Sequence, residues 1–462
     1  MTDTRGAVTF DTSLTALVGA LLDTMSAEEI AAGWVLVNAS GQLTFIAGRP
    51  QDAAGVARAQ TTAAQALGPY LNPDFGVVSA DAPGVSAIVE SASPYELRIE
   101  YGDAGIGVRV IDQRLVGRDW LSPPSATSVT RMPCVVFASL KGGVGRTTAL
   151  AVVAAHLAAE GQKVLVVDLD LEAPGIGSML LRAADLPRFG MLDAFVEAGV
   201  RAIDDEFLHD MVAASSFGAG NGLIDVVPAT GSVADAHPEN VLAKLARAYV
   251  DGFDDAGNLV SFGDRTRLLV GRLAALKSYD LVLVDARAGL NESTAAAMLA
   301  LGAHVLLFGE DTPQTFAGYR YLLAHLGRFK RNPDDDWVSR LKMVYAKASP
   351  LASDQQGFRD RAHDVFQEFV YVDEPVTPPD EDEAEAQDAL DDTMALSEFM
   401  LDEAGAPHYA LPVLMDTNYF RFDPLAHPEV LDSALYQHSY KELLTWTGSL
   451  VLADEGPTAY GD

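Results

Sequence analysis

The chain of 462 residues has a single cysteine, Cys134, and only 32 lysines and arginines against 65 aspartates and glutamates. One cysteine cannot form a disulfide within the chain, and it cannot supply an iron–sulfur or zinc site built from cysteines. The formal net charge of −33 disfavours direct binding to DNA or to an anionic lipid surface, because both need clustered lysine and arginine.

Long apolar runs are also missing. No stretch approaches the roughly 18 uninterrupted apolar residues of a transmembrane helix. Residues Met1 to Gly19 lack the basic segment and apolar core of a signal peptide. We therefore expect a cytoplasmic protein that does not contact the membrane.

The first 121 residues predict a small α+β accessory domain without a catalytic constellation. Apolar periodicity predicts helices, and short alternating runs predict strands. The predicted elements are a helix at Leu14–Ala32, strands at Trp34–Val37 and Leu43–Ile46, a helix at Ala53–Leu67, and a hairpin of Tyr95–Tyr101 and Ile106–Ile111 around Gly102-Asp103. Residues 122–132, rich in proline, serine and threonine, are typical of a linker.

From residue 133 to residue 452, candidate strands alternate with helices, which predicts an α/β domain with a mostly parallel sheet. Most of these strands are continuous apolar runs, as expected of strands buried on both faces. They are Cys134–Ser139, Lys163–Asp168, Leu223–Pro228, Asp280–Asp285, His304–Gly309, Leu341–Ala346 and Tyr409–Leu414.

An acidic insertion at 373–403 interrupts this pattern. It contains the run Asp380–Glu383 and no lysine or arginine. Such a composition is typical of a solvated insertion, and the alternative is a docking segment for a basic partner. We expect the tail at 453–462 to be flexible.

The segment after the strand Cys134–Ser139 predicts a nucleotide-binding loop. Its candidate binding residues are Gly142, Gly143, Val144, Gly145, Arg146, Thr147 and Thr148, followed by a predicted helix at Ala149–Gly161. A glycine-rich turn between a strand and a helix lets backbone N–H groups approach phosphates at the helix N-terminus. The generic phosphate-loop pattern fails at two positions, since Leu140 replaces its first glycine and Arg146 its lysine. Thr147 stands where a hydroxyl completes Mg²⁺ coordination.

Carboxylates end two of the later strands. Asp168 and Asp170 follow the second strand, and Asp285 ends the run Leu281–Asp285. The carboxyl ends of parallel strands form the edge where ligands bind in open α/β sheets. An acid at the position of Asp285 can hold Mg²⁺ directly or through water.

In this order, the loop Lys141–Thr148, the segment Asp168–Gly175 and Asp285 resemble the ParA/MinD family of P-loop ATPases, in a branch with arginine in the loop. The resemblance implies a P-loop NTPase domain that binds ATP and Mg²⁺. It implies that Lys141 reaches the nucleotide of a partner subunit in a homodimer and that Asp170 orients the attacking water. Thr147 and Asp285 would serve Mg²⁺, and Arg146 would act in catalysis in place of the usual lysine.

Three departures from the family pattern bear on function. Arg146 keeps the positive charge but is not equivalent to lysine, so turnover could be slowed or lost. Ala346 replaces the usual asparagine near the base, which leaves base selectivity open. Arg287 lies after Asp285 where the family has a different switch sequence, and it is either a sensor of the γ-phosphate or a surface ion pair.

Other features restrict the role within the family. The predicted C-terminal helix Leu431–Val451 carries one lysine, Lys441, which argues against a lipid anchor. We therefore expect an ATP-binding and ATP-hydrolysing dimeric switch that controls an unidentified protein partner, in a multi-gene bacterial system such as antiphage defence. Two alternatives stay open: a catalytically inactive nucleotide-binding scaffold, and a partition-type ATPase that acts on DNA through a partner protein.

Overall fold

The computed structural model describes residues 7–454 except for residues 93, 102–103, 219–221, 254–256, 258, 333–334 and 372–398. The chain forms two compact units, Met1–Leu121 and Ser122–Asp462. Most of the predicted acidic insertion, the turn at Gly102-Asp103 and the tail from residue 455 onward lie outside the described residues.

Unit 1 is a small α+β fold built on a five-stranded sheet in the order β3-β2-β1-β5-β4. The pairs β1·β5 and β2·β3 are parallel, and the other pairs are antiparallel. Its elements are α1 (Phe10–Leu22), α2 (Ala27–Ala31), β1 (Trp34–Val37), β2 (Leu43–Ile46), α3 (Ala53–Leu67), β3 (Val77–Val78), α4 (Val85–Ser91), β4 (Tyr95–Tyr101) and β5 (Ala104–Asp112).

The single helix predicted at Leu14–Ala32 is wrong, because the chain breaks between α1 and α2. Ser26 begins the second helix with a capping box. Its hydroxyl accepts a hydrogen bond from the Glu29 N–H at 3.3 Å, and the Glu29 carboxylate accepts one from the Ser26 N–H at 2.9 Å. These bonds satisfy helix-end donors and favour a new start at this point.

Unit 2 is a larger α/β fold. Its elements are β6 (Cys134–Ser139), α5 (Arg146–Ala159), β7 (Lys163–Asp168), α6 (Ile176–Leu180), α7 (Met191–Ala198), α8 (Asp205–His209), β8 (Ala213–Ala214), β9 (Leu223–Val227), α9 (Ser232–Ala236), α10 (Val241–Ala248), β10 (Gly252–Phe253), β11 (Leu259–Val260), α11 (Phe262–Ala274), β12 (Leu281–Ala288), α12 (Glu292–Ala295), β13 (His304–Gly309), α13 (Pro313–Leu326), β14 (Leu341–Ala348), α14 (Ala352–Phe369), β15 (Leu411–Leu414) and α15 (Ser433–Asp454).

The main sheet of unit 2 has eight strands in the order β15-β14-β13-β6-β12-β7-β9-β8. Every neighbouring pair is parallel except β8·β9. The predicted fold class, a mostly parallel α/β sheet preceded by a small α+β region, is therefore confirmed. The strands β6, β7 and β13 begin and end at the predicted residues, whereas the helix after the loop begins at Arg146 rather than at Ala149.

The strand order determines where a ligand-binding crevice forms at the edge of the sheet. The chain enters at β6, moves outward to β7 and β9, and returns through β12 to β13 on the other side of β6. This reversal is a topological switch point, and a crevice forms there outside the carboxyl ends of the strands. The loop after β6 and the ends of β7 and β12 meet at this crevice.

The predicted linker, residues 122–132, belongs to unit 2. The Arg267 guanidinium donates to the Ser125 hydroxyl at 3.0 Å, and the Arg340 guanidinium donates to the Ser125 carbonyl at 2.7 Å. Two arginines of unit 2 thus fix this segment. Across the described part of the chain, no helix combines the length and apolar character needed to cross a bilayer.

Candidate functional site

A glycine-rich loop connects the carboxyl end of β6 to the start of α5. Gly143 and Gly145 have φ angles of +78° and +88°, a region that glycine adopts without steric cost. Apart from the adjoining residues of the chain, no atom lies within 4 Å of the positions that Cβ atoms would take at Gly142, Gly143 and Gly145. The loop therefore faces open space, with the N-terminus of the 14-residue helix α5 beside it, and this combination suits an anion.

Two aspartates lie side by side beneath this loop. Asp168 of β7 and Asp285 of β12 are register partners on neighbouring parallel strands, and both are fully buried. Burial, together with the nearby Asp285 carboxylate, raises the pKa of Asp168 well above its ordinary value, and burial also raises the pKa of Asp285. Asp168 also holds the following turn, since it accepts hydrogen bonds from the N–H groups of Asp170 (3.0 Å) and Gly175 (3.3 Å).

Arg146 places its guanidinium among these acids. Its Nε lies 2.7 Å from Asp285 Oδ1, and its Nη2 lies 3.2 Å from Asp170 Oδ2. Only 7% of Arg146 is exposed. The loop cation therefore lies on the carboxylates in this structure, although the sequence pattern puts it at the position of a phosphate-binding lysine.

Thr147 and Asp285 fit a magnesium site. The Thr147 hydroxyl donates to Asp285 Oδ2 at 2.8 Å, close to the separation of about 2.9 Å between adjacent oxygens around Mg²⁺ with bonds of 2.0–2.1 Å. Among the residues that the structure describes, no group of three or more His, Cys, Asp or Glu side chains could hold a metal. Mg²⁺ would therefore need further oxygens, as in sites that it shares with substrate phosphates.

A cleft of about 660 Å³ opens above the loop. Beside the loop, its lining includes Asp170 and Lys347 and, on another side, Met415, Tyr419 and Phe420. Sequence reasoning missed the last three residues. Their only signal is their place after β15, whose carboxyl end lies at the same edge of the sheet.

The other predicted residues lie around this cleft. Lys141 has 48% of its side chain exposed, and its Nζ lies 3.7 Å from Glu310 Oε2. Arg287 Nη1 donates to Glu172 Oε1 at 2.6 Å, which joins the segments after β7 and within β12. Ala346 is buried and does not line the cleft, but the next residue, Lys347, does, with a φ of +52°.

The structure thus brings Arg146, Thr147, Asp170 and Asp285 into contact, and it leaves Lys141 outside their network. Thr148 and the loop glycines line the same cleft. Arg287 pairs with Glu172 and does not contact the loop acids in the contacts described for it.

Residues 132–336 match a family model described as an AAA domain. No curated protein matches the chain. Several solved structures are similar, among them the cell division ATPase MinD of Pyrococcus furiosus, with 21% identity, coverage of 48% of this chain and 75% of that chain, and a TM-score of 0.33.

A ParA family ATPase from Chlorobium tepidum TLS has 16% identity, with 68% of this chain and 98% of that chain covered and a TM-score of 0.37. The cobyrinic acid a,c-diamide synthase of Mycobacterium smegmatis, solved with a bound ATP analog and magnesium, has 18% identity, with 52% of this chain and 83% of that chain covered and a TM-score of 0.34. At such scores, these likenesses carry no weight for function.

The family match and the motif geometry coincide. The matched segment contains the loop Lys141–Thr148, Asp170 and Asp285, and these residues meet at one cleft at the carboxyl edge of a parallel sheet. The segment that matches the AAA domain family model, residues 132–336, is therefore the part of the chain that carries the candidate site.

Proposed function

We propose that the chain binds and hydrolyses ATP and acts as a dimeric switch that controls a protein partner. The observation that supports this proposal is the convergence of four elements on one cleft: the open glycine loop, Thr147, Asp170 and Asp285. Each element alone has structural explanations. Together they supply what phosphoryl transfer requires, which is phosphate positioning, a magnesium site and a group that orients water.

The residues divide the work as follows. The N–H groups of Gly142, Gly143 and Gly145 cradle the phosphates, and Thr148 lies at the start of α5 beside them. Thr147 and Asp285 would hold Mg²⁺, which would supply neutralisation of phosphate charge when bound. Asp170, held by the Asp168-centred turn, orients the attacking water.

The base would lie against Met415, Tyr419 and Phe420, which line the same cleft. Met415 is 60% exposed and Phe420 62% exposed. Exposed apolar side chains beside a polar phosphate cradle suit a flat aromatic base, since stacking contributes beyond the buried area. The buried Ala346 contributes no polar side chain to base recognition.

The first test is thermal unfolding of the purified chain with ATP, ADP or GTP and Mg²⁺. A ligand that binds only the folded state raises its stability by about 2.7 kcal/mol at a hundredfold excess over Kd. We expect a clear rise in Tm with ATP–Mg²⁺. An unchanged Tm with every nucleotide at millimolar concentration would contradict the proposal.

Lys141 is the residue that links nucleotide to assembly. It lies before Gly142, it is half exposed, and its contact with Glu310 is a loose one at 3.7 Å, so the side chain is available to a second copy of the chain. An exposed pair of this kind contributes little to stability. A cation that reaches the partner's phosphates makes dimer formation depend on the γ-phosphate.

We therefore expect ATP, but not ADP, to convert monomers to dimers, and we expect Lys141→Ala to abolish this conversion. Mass in solution is the measurement, and Lys330→Ala, at an exposed position in unit 2, is the matched control. If the mass of the wild type is the same with ATP, with ADP and without nucleotide, the switch is contradicted. If Lys141→Ala still forms dimers with ATP, the switch stands but Lys141 has no part in it.

A second candidate function is a scaffold that binds nucleotide without turnover. It is favoured by the contacts of Arg146 with both Asp170 and Asp285, because a guanidinium on those carboxylates competes with water and Mg²⁺. Release of inorganic phosphate in the presence of ATP–Mg²⁺ separates the two candidates.

A further inference from the structure

Three carboxylates and one guanidinium share the floor of the cleft. Asp168 and Asp285 are fully buried, and Asp170 and Arg146 are each 7% exposed. Burying carboxylates is costly unless a cation or hydrogen bonds compensate their charge. In the contacts described for the cluster, Arg146 is the cation that does so.

The guanidinium does more than pair with one acid. Nε contacts Asp285, while Nη2 contacts both Asp170 Oδ2 and, at 3.4 Å, the Thr147 hydroxyl. The planar fork of arginine can bridge two carboxylates, whereas a lysine ammonium is a point charge on a flexible stem. The arginine in this loop therefore spans the cluster in a way that its usual replacement cannot.

These contacts coincide with the magnesium site. The residues that fit Mg²⁺ are Thr147 and Asp285, and both are contacted by Arg146. Two cations at neighbouring positions in a poorly solvated site repel each other strongly. The guanidinium thus contacts the same two residues that would hold a divalent cation, at Asp285 Oδ1 and at the Thr147 hydroxyl.

Two nitrogens of the guanidinium, Nε and Nη1, have no hydrogen bond among the described residues, although Nε forms an ion pair with Asp285. Arg146 Nη1 is buried and has no hydrogen-bond partner in the described part of the chain. A buried donor without a partner is destabilising, and phosphate oxygens are the acceptors that suit an arginine fork. Movement of the Arg146 side chain from the acids to phosphates in the cleft would therefore be favourable, because it gives Nη1 an acceptor.

We propose that Arg146 serves as the built-in cation of this cluster and excludes divalent metal ions until a nucleotide is bound. Nucleotide phosphates draw the guanidinium away from Asp285, and the metal enters only then. The part that concerns nucleotide rests on the proposed ATP site, while the exclusion of metal from the nucleotide-free chain does not.

The test uses Mn²⁺, whose free concentration is measured by electron paramagnetic resonance, on the full chain without nucleotide. We expect no stoichiometric binding by the wild type. Arg146→Met removes the cation and keeps apolar bulk, and with water supplying the remaining oxygens its Kd for Mn²⁺ should be at least about tenfold lower than that of the wild type, because a repelling charge is gone. The double variant Arg146→Met/Asp285→Asn should lose that gain.

Arg320→Met is the matched control, since Arg320 pairs with Glu368 at 2.6 Å with half of its side chain exposed. It removes the same charge from the chain and should not acquire Mn²⁺. Tight binding of Mn²⁺ to the nucleotide-free wild type overturns the proposal. Equal and weak binding by the wild type and a folded Arg146→Met, judged by circular dichroism, overturns it as well.

Should Arg146→Met not fold, Mn²⁺ binding by the wild type is compared with and without nucleotide. Mn²⁺ bound only with ADP or ATP present supports the proposal, and Mn²⁺ bound equally without them overturns it. A wild type that binds neither ATP nor ADP refutes the proposed ATP site. In that case, the nucleotide-free Mn²⁺ titrations of the wild type and of Arg146→Gln, which removes the charge and keeps hydrogen-bond donors, still test the exclusion of metal by Arg146.

Discussion

Two of the buried cationic side chains of unit 2 lie at opposite ends of its parallel sheet. Arg146 follows the carboxyl end of β6 and is 7% exposed, whereas Lys342 is the second residue of β14 and is 2% exposed. The partners of Arg146 are carboxylates. Those of Lys342 are the carbonyl oxygens of Ala404 and Ala406, each at 2.8 Å.

The difference in partners separates a cation that we propose acts on the nucleotide from one that holds the backbone. Burial lowers the pKa of Lys342 to about 8, because neutral carbonyls compensate its charge only in part. Lys342 fixes the residues that follow the predicted acidic insertion, and the Glu403 carboxylate offsets only part of the effect of burial and of the Arg359 guanidinium. Arg146 can exchange its carboxylates for phosphates without losing charge compensation. Substitutions at the two ends should therefore affect different properties.

The largest effect is expected for Asp170→Ala at the carboxyl end. If Asp170 orients the attacking water, its loss acts mainly on the transition state. Turnover of ATP should fall roughly a hundredfold or more, while the affinity for ATP stays the same or rises slightly because a negative charge near the phosphates is gone. Phosphate release and equilibrium binding measure the two quantities.

Asp185→Ala is the control for this prediction, because Asp185 forms an exposed pair with Arg182 at 2.8 Å away from the cleft. Equal turnover by Asp170→Ala and the wild type would show that another group orients the water. A wild type without turnover would instead favour the scaffold.

Lys342→Met at the other end should change stability and leave nucleotide binding unchanged. The folded chain releases the Lys342 proton near pH 8, and the unfolded chain does so near the ordinary value of 10.5. Between these values the unfolded state binds more protons, so wild-type stability rises with pH. From pH 7.5 to 9.5, the wild type should therefore gain about 2 kcal/mol relative to Lys342→Met.

Denaturant unfolding at several pH values measures this difference, and Lys330→Met, at an exposed position, should show no such trend. A pH-independent difference between wild type and Lys342→Met would mean that Lys342 does not titrate in this range. Weaker ATP binding by Lys342→Met would show that the two ends of the sheet are coupled.

Much of the sheet was predictable because its strands are continuous apolar runs bounded by polar residues, as in β6, β7 and β13. β12 was predicted to stop at Asp285 but continues to Ala288, where Ala288 pairs with Ser139 after an irregularity. Local sequence does not encode such a long-range pairing. The capped break between α1 and α2 had a local signal, Ser26 followed by Glu29, that apolar periodicity concealed.

At the site, the motif order predicted which residues meet but not how they are arranged. The direction of Arg146 depends on carboxylates 24 and 139 positions away, which no local pattern can specify. Tyr419 and Phe420 follow β15 without periodicity or motif. Their place in the cleft depends on the position of β15 in the sheet.

The smallest expected effect concerns the base, and it tests whether the cleft extends beyond the phosphate end. Phe420→Ala should raise the Kd for ATP about threefold, since an aromatic contact contributes about 0.5–1.5 kcal/mol. The Kd for inorganic triphosphate, which has no base, should not change. Phe75→Ala is the matched control, because Phe75 is also 62% exposed but lies in unit 1. Calorimetry with both ligands separates the outcomes: equal weakening for both ligands would indicate damage to the loop, and an unchanged affinity for ATP would place the base elsewhere.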